Sequence, residues 1–562
     1  MSVNLEFDHY YAYRELTEAL HALAAAYPKL MHLESLGKTE KGRDVWVAEI
    51  TNTETGDYAD KPAYYIDGNH HAGEVTGSMA SLYAIYALLT QDTKQNKDLL
   101  DAFTFYVIPR VSPDGAEVYL TTPEHLRSLD RPYPYGDTLP GLYPEDINGD
   151  GEILSMRIPN PHGSWKTSPQ DPRVMIKRQP DDRTGLFYHV VSEGKIVDYD
   201  GLDINPAPVK WGLDLNRGYP NCWFPEYRQS GAGPYPLFNA ENRMLVDFVL
   251  SHPNIGSVVT NHTCGGVFVY PPGTKPSKQA ENQDIDMFKI IGKMATEETG
   301  YVCCNIYDEF LSDAENFSSG AYDDWLYGHQ GIPAYTSELW DLQIRAGVEG
   351  VWPHTEKDQQ QKEEDYIKMC KWCDEHLPAG WFTPWTAFDH PQLGPVEIGG
   401  MRYKFVGQNC PPPYLLQEVE KINRFYLRHA AALPKLEITK AETVKTDTDT
   451  WHITVELVNS GFLPTYLTKE ALNIKVDKPI EVKLTLPEDS SLIMGKMFEK
   501  IGHLEGFGGN HSGYRHGFFF VAAGKPTQKR VEWVIKGTAG QTVQVQIDSA
   551  KAGKITLPIC LA

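Results

Sequence analysis

Residues 67–74 read DGNHHAGE, and this stretch decides how the first half of the chain is interpreted. Within it, His71 and Glu74 pair a nitrogen ligand with a carboxylate at a spacing of i, i+3, so both side chains can reach one ion if the chain turns into a helix here. The flanks predict such a turn, because residues 63–66 (AYYI) read as a buried strand and residues 78–89 (SMASLYAIYALL) as an apolar helix. Two His and one Glu, with a fourth position open, form a catalytic zinc site. Alone, the pair is more simply interpreted as surface residues at a helix N-terminus, where a Glu is favourable.

A third ligand is predicted far downstream. His262 ends the short apolar run GSVVTNH, and a His at the carboxyl end of a strand is well placed for a site above a sheet. Two further segments carry polar groups inside apolar runs, GLDLNR at 212–217 and GIPAYTSELW at 331–340. Glu338 in the second run is costly there unless it has a partner or a chemical role.

The order of these motifs resembles the zinc metallocarboxypeptidases, of the carboxypeptidase A/B type: HxxE, then DxNR, then a strand-borne His, then a late Glu. Upstream, YP at 27–28, LGKT at 36–39 and GR at 42–43 fit the same family, and the resemblance covers residues 8 to 345. It implies an α/β fold with a mixed central sheet flanked by helices. It also implies hydrolysis of the C-terminal peptide bond of peptides or proteins.

The resemblance further implies a role for each matching residue. His71, Glu74 and His262 would hold one Zn2+, which activates water for attack. Glu338 would take a proton from that water and later deliver it to the leaving amine. Asp214 would accept a hydrogen bond from the far nitrogen of His71 and fix its tautomer.

Substrate contacts are implied in the same way. Asn216 and Arg217 would grip the terminal carboxylate, for which the planar guanidinium is suited. An oxyanion-stabilising Arg is expected downstream of the turn SPDG at 112–115, and Arg127 lies at the family-like offset. Arg157 is the reserve candidate, and either Arg can instead be a plain surface cation.

Near residue 320 the sequence departs from the family. The position of the expected mobile Tyr falls on residues 316–317, which are Asn and Phe, so Tyr322 is the nearby candidate for a closing phenol unless it simply packs. Asp323 precedes the Asp-Trp pair at 324–325, where relatives line the pocket for the C-terminal side chain. A buried carboxylate there predicts a preference for Lys or Arg, whereas a solvated helix-start residue would carry none.

The spacer between Glu74 and His262 is longer than usual, and the excess at about 120–210 is interpreted as an insertion. Within it, DINGDGEI at 146–153 matches the first part of a calcium loop, with oxygens from Asp146, Asn148 and Asp150. The twelfth position holds an Arg rather than a Glu, so the alternative is a tight Asp- and Gly-rich turn. Calcium is therefore a second predicted cofactor beside zinc.

Composition bounds the remaining possibilities. The chain has 562 residues, 41% of them hydrophobic, a formal charge of -23 and eight Cys. The negative charge argues against non-specific binding to nucleic acid or anionic membranes. Few Cys, no apolar run long enough for a bilayer and no export signal at the start predict a cytoplasmic protein, or a secreted one if a signal was removed.

Periodicity divides the chain at Pro434. Residues 1–433 are predicted to form the catalytic domain, with a charged helix at 356–376 and a Trp- and Pro-rich loop at 381–391. Beyond Pro434 short runs alternate with period two and predict an all-β sandwich at 434–562. The sequence leaves its role, and the oligomeric state, open.

Two other functions stay open at this point. A zinc amidase or deacylase acting on small acylated amino acids, or on peptidoglycan peptides, would use a similar metal triad and Glu. A catalytically dead binding module would lack a ligand or the Glu, and both are present here. The complete DxNR motif favours the peptidase.

Overall fold

The computed structural model describes residues 3–311, 317–509, 514–515, 519–520 and 526–562. The expected site residue Asn316 lies outside these ranges. Eleven α-helices are present in the described residues: α1 (Tyr13–Ala26), α2 (Val75–Thr90), α3 (Lys94–Ala102), α4 (Pro113–Thr121), α5 (Ala240–Ser251), α6 (Asn282–Thr299), α7 (Tyr322–Gln330), α8 (Leu342–Arg345), α9 (Gln359–His376), α10 (Pro412–Ala430) and α11 (Lys469–Asn473).

The strands fall into three groups along the chain. Those before residue 200 are β1 (Met31–Lys38), β2 (Asp44–Ile50), β3 (Ala63–Gly68), β4 (Thr104–Ile108), β5 (Gly141–Pro144), β6 (Ser155–Pro159), β7 (Trp165–Thr167), β8 (Met175–Lys177), β9 (Tyr188–Ser192) and β10 (Gly194–Val197). The middle group is β11 (Ile255–Thr263), β12 (Val267–Tyr270), β13 (Val302–Asn305), β14 (Ala334–Leu339), β15 (Phe382–His390) and β16 (Gly394–Met401). The last group is β17 (Leu436–Asp447), β18 (Thr450–Asn459), β19 (Ile480–Thr485), β20 (Ser491–Met494), β21 (Phe498–Gly502), β22 (Tyr514–Arg515), β23 (Phe519–Phe520), β24 (Gln528–Lys536), β25 (Thr542–Ser549) and β26 (Gly553–Cys560).

An eight-stranded mixed sheet organises the first domain, in the order β1-β2-β4-β3-β11-β14-β12-β13. Successive side chains of a strand point to opposite faces, and both faces are covered by helices. The ring of Tyr64 packs 5.0 Å from His429 of α10, whereas the ring of its neighbour Tyr65 packs 6.2 Å from Phe248 of α5. The predicted α/β class, with a mixed central sheet flanked by helices, is confirmed.

The parallel strands in the middle of this sheet determine where a site can form. β3, β11 and β14 run side by side in parallel, and His262 of β11 pairs in register with Glu338 of β14. Because carboxyl ends of parallel neighbours meet at one edge, the turn that follows β3 reaches the same place. Residues almost two hundred positions apart therefore converge there.

A second, six-stranded sheet is built from two distant segments, in the order β15-β16-β6-β9-β7-β8. Its strands β6 to β9 come from the predicted insertion, while β15 and β16 come from residues after α9. The expected loop at 381–391 is therefore wrong, because most of it is β15. β15 lies at the edge of the sheet, where a proline such as Pro384 is tolerated because an edge strand need not donate every ladder hydrogen bond. Its residues alternate only imperfectly between buried and exposed, so the sequence showed no clear strand pattern with period two.

The C-terminal region is a β-sandwich, as predicted. Two four-stranded antiparallel sheets, β17-β18-β24-β20 and β21-β19-β25-β26, enclose one apolar core. Ile453, Val455 and Leu457 of one sheet and Val482 and Leu484 of the other are buried in it, which explains their alternation with polar residues. The sandwich abuts the first domain, where Lys551 Nζ donates to the carbonyl of Ile255 at 2.7 Å.

Among the described residues, none of the helices combines the length and the apolar character needed to cross a bilayer.

Candidate metal centre and active site

The turn after β3 is held in a fixed shape by its own residues. Asn69 adopts a left-handed conformation, with φ of 67°, and its Nδ2 donates to the carbonyls of His71 and Ala72. Gly68 lies so close to α2 that a Cβ would sit 2.4 Å from the carbonyl oxygen of Gly77. The turn therefore delivers His71 and then Glu74 to the end of the sheet before α2 begins at Val75.

Three buried side chains meet at this edge. Glu74 Oε1 lies 2.8 Å from His71 Nδ1, and Glu74 Oε2 lies 2.9 Å from His262 Nδ1. The two Nδ1 atoms are 3.0 Å apart. His71, Glu74 and His262 are 4%, 2% and 1% exposed, so solvent does not separate them. The structure thus brings together the three predicted ligands.

This geometry fits a zinc ion. Bonds of about 2.0–2.1 Å in a tetrahedron place ligand atoms about 3.3 Å apart, close to the separations found. Only one hydrogen fits between two imidazole nitrogens that face each other, so a single hydrogen bond can form there. A cation between the two nitrogens accepts a lone pair from each of them and from the carboxylate as well. Burial lowers the pKa of His262 to about 4 although Glu74 opposes this, which keeps the ring in its neutral, metal-binding form.

Asp214 and Arg127 surround the cluster. Asp214 Oδ1 lies 3.1 Å from His71 Nε2, the contact that fixes a ligand's tautomer. Arg127 donates from Nε to Asp214 Oδ2 at 3.0 Å and from Nη1 to Glu74 Oε1 at 3.1 Å. Burial would raise the pKa of Asp214, but Arg127 and His71 hold it well below its ordinary value. Asp214 is therefore an ionised carboxylate at neutral pH.

Of the two candidate oxyanion-stabilising arginines, Arg127 lies at the cluster and Arg157 does not. Arg157 is buried in the six-stranded sheet, where its Nε donates to Glu397 Oε2 at 2.7 Å and its guanidinium lies 4.6 Å from the centre of the Trp385 ring. These partners give it a structural task. Arg127 is 45% exposed on its side chain and faces the space beside Glu74.

We expect Arg127→Ala to lower kcat about 10²–10³-fold, because a preorganised donor to the developing oxyanion is lost. Steady-state hydrolysis of a blocked dipeptide measures this. Arg157→Ala is the matched control, and it should leave kcat unchanged while lowering the melting temperature. Equal kinetic losses in both variants would contradict the assignment.

Glu338 lies beside the cluster by strand register. Its register partner on the neighbouring strand β11 is His262. Gly265 also lies close to Glu338, because a Cβ built on this glycine would be 3.2 Å from the Cβ of Glu338. The surrounding protein and then the charge of Glu74 raise its pKa well above the ordinary value, while Arg127 opposes the rise. A carboxyl group with a raised pKa is suited to accept and return a proton near neutral pH.

Asn216 and Arg217 follow Asp214 on a short turn. Asp214 Oδ1 accepts from the Asn216 amide at 2.8 Å, and Asn216 Oδ1 accepts from the Tyr322 amide at 2.8 Å. These contacts connect the turn to the start of α7. Arg217 is partly exposed, and its Nη1 donates to its neighbour's carbonyl at 2.5 Å. The chain thus holds a guanidinium with donors left for a carboxylate.

Asp323 is not a solvated turn residue. It is 3% exposed, with Oδ2 accepting from Thr336 Oγ1 at 2.7 Å and Oδ1 from the Asp324 amide at 2.9 Å. Burial raises its pKa although Arg217 opposes the rise. A second buried carboxylate, Asp324, accepts from the Gly273 amide at 2.9 Å. Two buried carboxyl groups therefore lie close enough to Arg217 to feel its charge.

Tyr322 does not occupy the position expected of a closing phenol. It is fully buried, and its ring packs 4.7 Å from Tyr219 and 5.1 Å from His70. Its hydroxyl cannot meet a substrate without unpacking this cluster, so the expectation that it binds substrate is not supported. Phe317, the other residue of the expected position, packs 5.5 Å from Phe224.

Two residues near the site escaped the sequence reasoning. Cys264 follows His262 by two positions, and burial raises the pKa of its thiol to about 12, with Glu338 the next contributor. The hydroxyl of Tyr403 lies 4.0 Å from Cys264 Sγ. In the sequence, α9, β15 and β16 lie between Tyr403 and the other site residues. No motif marked Tyr403, because the fold of the six-stranded sheet, and not a local pattern, brings it to the site.

Two large cavities reach this region. One of about 990 Å³ has Arg127 in its wall and is otherwise lined mainly by insertion residues such as Tyr143 and Ile204. The other, of about 1050 Å³, has Cys264 and Tyr403 in its wall. The insertion and the segment after α9 therefore shape the approach to the metal cluster.

The predicted calcium loop forms a compact turn. Asp146 Oδ1 accepts from the amides of Gly149 and Asp150, and Asn148 Nδ2 donates to Asp150 Oδ2 at 3.2 Å. Glu193 joins Asp146 and Asp150, with one oxygen from each within 4.8 Å of the others. The hydrogen bonds to Asp146 are those of a tight Asp- and Gly-rich turn, which was the alternative interpretation of this segment. They do not support calcium binding. Calcium stays a prediction.

Comparisons with known proteins extend this picture. Residues 16–367 match a family model described as zinc carboxypeptidase, and residues 435–559 match one described as a domain of unknown function, DUF8731. The carboxypeptidase B of Astacus astacus is 23% identical over 342 residues, which are 60% of this chain and 88% of that protein. Zinc carboxypeptidase A 1 of Drosophila melanogaster is 32% identical over 125 residues, covering 22% of this chain and 29% of its own length. Among solved structures, the carboxypeptidase A of Helicoverpa armigera aligns with a TM-score of 0.40 and 17% identity over 66% of this chain and 74% of its own.

Proposed function

Because the chain belongs to the zinc carboxypeptidase family, we propose that it removes the C-terminal residue from peptides or proteins by zinc-dependent hydrolysis. The observation that carries the proposal is the buried meeting of two imidazoles and one carboxylate beside Glu338. His71, Glu74 and His262 would hold the zinc ion, which would supply Lewis-acid activation of the scissile carbonyl and of water. The remaining roles belong to side chains of the chain itself.

Glu338 takes the proton of the attacking water and returns it to the leaving amine. Its raised pKa supports both halves of this role, since the group must hold the proton between the two steps. Arg127 stabilises the negative charge that develops on the carbonyl oxygen, from its position between Glu74 and Asp214. Asp214 keeps His71 oriented.

Arg217 and Asn216 bind the terminal carboxylate of the substrate. A guanidinium matches a carboxylate with two parallel hydrogen bonds, and this contact restricts cleavage to chain ends. The second candidate function, a zinc amidase or deacylase on acylated amino acids or peptidoglycan peptides, shares the metal cluster. An amidase of this kind acts on a small substrate and does not need to bind a long peptide. The large cavity beside Arg127 has room for a longer substrate and therefore favours the peptidase.

A free-acid peptide and its C-terminally amidated twin test the proposal. We expect wild-type protein to cleave the free acid much faster than the amide, and Arg217→Ala to lower kcat/KM for the free acid about 30- to 1,000-fold, the loss of about 2–4 kcal/mol of charge-assisted contact. The amidated twin serves as the internal control, because its slow rate should not change in the variant. Equal cleavage of both peptides by wild-type protein would favour the amidase.

We also propose a preference for basic C-terminal residues, carried by the buried Asp323 near Arg217. Peptides that end in Arg should be cleaved faster than peptides that end in Leu, and Asp323→Asn should lower this ratio at least about tenfold, since a buried charge pair is lost. The pKa of Asp323 is raised, so its charge is lost as pH falls, and the preference should strengthen as pH rises.

Asp324→Asn is the matched control for this preference. It removes a neighbouring buried carboxylate that is bonded to the Gly273 amide instead, and the ratio should survive. Faster cleavage of the Leu peptide by wild-type protein would end the proposal of basic preference and leave the peptidase assignment standing.

A further inference from the structure

A row of polar side chains crosses the edge of the central sheet, away from the metal cluster. His32 of the edge strand β1 pairs in register with Glu49 of β2, which pairs in turn with Tyr106 of β4. Paired residues of neighbouring strands point to the same face, as does Glu34, two positions from His32. His32 and Glu34 are exposed, whereas Glu49 is 9% exposed.

The end of α5 brings a second histidine over this row. His252 follows the last residue of α5, and its ring packs 4.9 Å from Tyr106 and 4.0 Å from Phe248. His252 Nδ1 lies 2.7 Å from the carbonyl oxygen of Phe248, so that nitrogen carries the hydrogen and donates it. The other nitrogen, Nε2, lies 3.6 Å from Glu49 Oε1. We call His32, Glu34, Glu49 and His252 the edge cluster.

Among the described residues, none donates a hydrogen bond to the carboxylate of Glu49. His252 Nε2 lies 3.6 Å from Glu49 Oε1, beyond hydrogen-bond distance. A largely buried carboxylate that accepts no hydrogen bond from the protein is unfavourable unless a cation compensates its charge. If His252 is neutral, the lone pair of Nε2 faces this carboxylate, and the two repel each other. A cation held between them removes both penalties.

We propose that the edge cluster binds a second zinc ion. His32, Glu34 and Glu49 each offer a ligand atom within 4.8 Å of the others, and exposed His32 and Glu34 need only rotate to reach the separation of about 3.3 Å that tetrahedral zinc requires. Imidazole and carboxylate donors together suit zinc. The bond from His252 Nδ1 to a backbone carbonyl is how metal-binding histidines are usually oriented.

This ion would have a structural task. It would tie β1, the edge strand of the sheet, to β2 and to the end of α5. The edge cluster shares no residue with His71, Glu74 and His262. The inference therefore does not depend on the proposed hydrolysis.

Counting metal ions per chain tests the inference. The 562-residue protein is dialysed against a buffer of fixed micromolar free zinc, and bound zinc per chain is measured by inductively coupled plasma mass spectrometry. Wild-type protein should hold two ions, His32→Ala and His252→Ala one each, and His262→Ala one. Exposed His162, outside either cluster, supplies the matched control, and His162→Ala should keep two. Adding zinc should raise the melting temperature of His262→Ala but not that of the double variant with His32→Ala.

Each outcome separates the two ideas. One ion in wild-type protein that His32→Ala retains would overturn the inference. Two ions in wild-type protein and still two in His32→Ala and His252→Ala would place the second ion elsewhere, with the same result. Loss of an ion in His32→Ala but none in His262→Ala would support the edge cluster while contradicting the catalytic metal centre.

Discussion

Glu338→Gln is expected to lower kcat about 10²–10⁴-fold while zinc stays bound. The amide keeps the shape of the side chain but cannot accept the proton of the attacking water, and general acid–base catalysis contributes a factor of this size. Glu338 pairs with His262 across two strands but is not among the three clustered ligands, so its change should leave the metal in place. Steady-state kinetics together with metal analysis measure both effects.

Glu349→Gln provides the matched control for this variant. It makes the same exchange at an exposed position beyond α8 and should not affect kcat. Full activity of Glu338→Gln would refute the role of the carboxylate. Loss of zinc together with activity would instead show that Glu338 helps to hold the ion.

The second large effect is expected from His262→Ala. Removing one of two imidazoles that lie 3.0 Å apart leaves Glu74 and His71 with an incomplete ligand set. The ion held by His71 and Glu74 should be lost at micromolar free zinc, and hydrolysis should fall by more than about 10³-fold, since the metal supplies several kcal/mol of transition-state stabilisation. Metal content and activity are measured on the same sample.

Asp214→Asn distinguishes a lost ligand from a misoriented one. The amide weakens the hold on His71 Nε2, and such changes typically lower metal affinity or activity about 10–100-fold. Excess zinc should restore activity to Asp214→Asn if affinity is what falls, but not to His262→Ala. Unchanged activity of His262→Ala after loss of one zinc ion per chain would rule out the metal centre as the catalytic site.

The metal cluster could be predicted because its parts lie at the ends of parallel strands. An HxxE after β3, a His at the end of β11 and a Glu near the end of β14 each carry a local signal, and parallel pairing brings them together. The sandwich was also predictable, since its alternation of apolar and polar residues with period two is strong, whereas the mixed sheet was implied by the family resemblance and not by periodicity.

The remainder depends on contacts that no local pattern reveals. β15 looked like a loop because it is an edge strand, half-exposed and interrupted by Pro384. Tyr322 looked available, but the rings of Tyr65, His70 and Tyr219, all distant in sequence, bury it. Tyr403 and the edge cluster arise from strand register and from the end of α5, and distance along the chain conceals both.

The six-stranded sheet has a consequence for how the protein is divided. Met156 and Ile158 of β6 share a small core with Val396 and Ile398 of β16, and His429 of α10 bonds to Ser257 in the central sheet. A polypeptide truncated at residue 367, where the similarity to the family ends, would lack β15, β16 and α10. It would expose an unpaired strand and an uncovered sheet face, both of which promote aggregation. The smallest autonomous folding unit of the first domain therefore extends to the end of α10, well past the boundary drawn by homology.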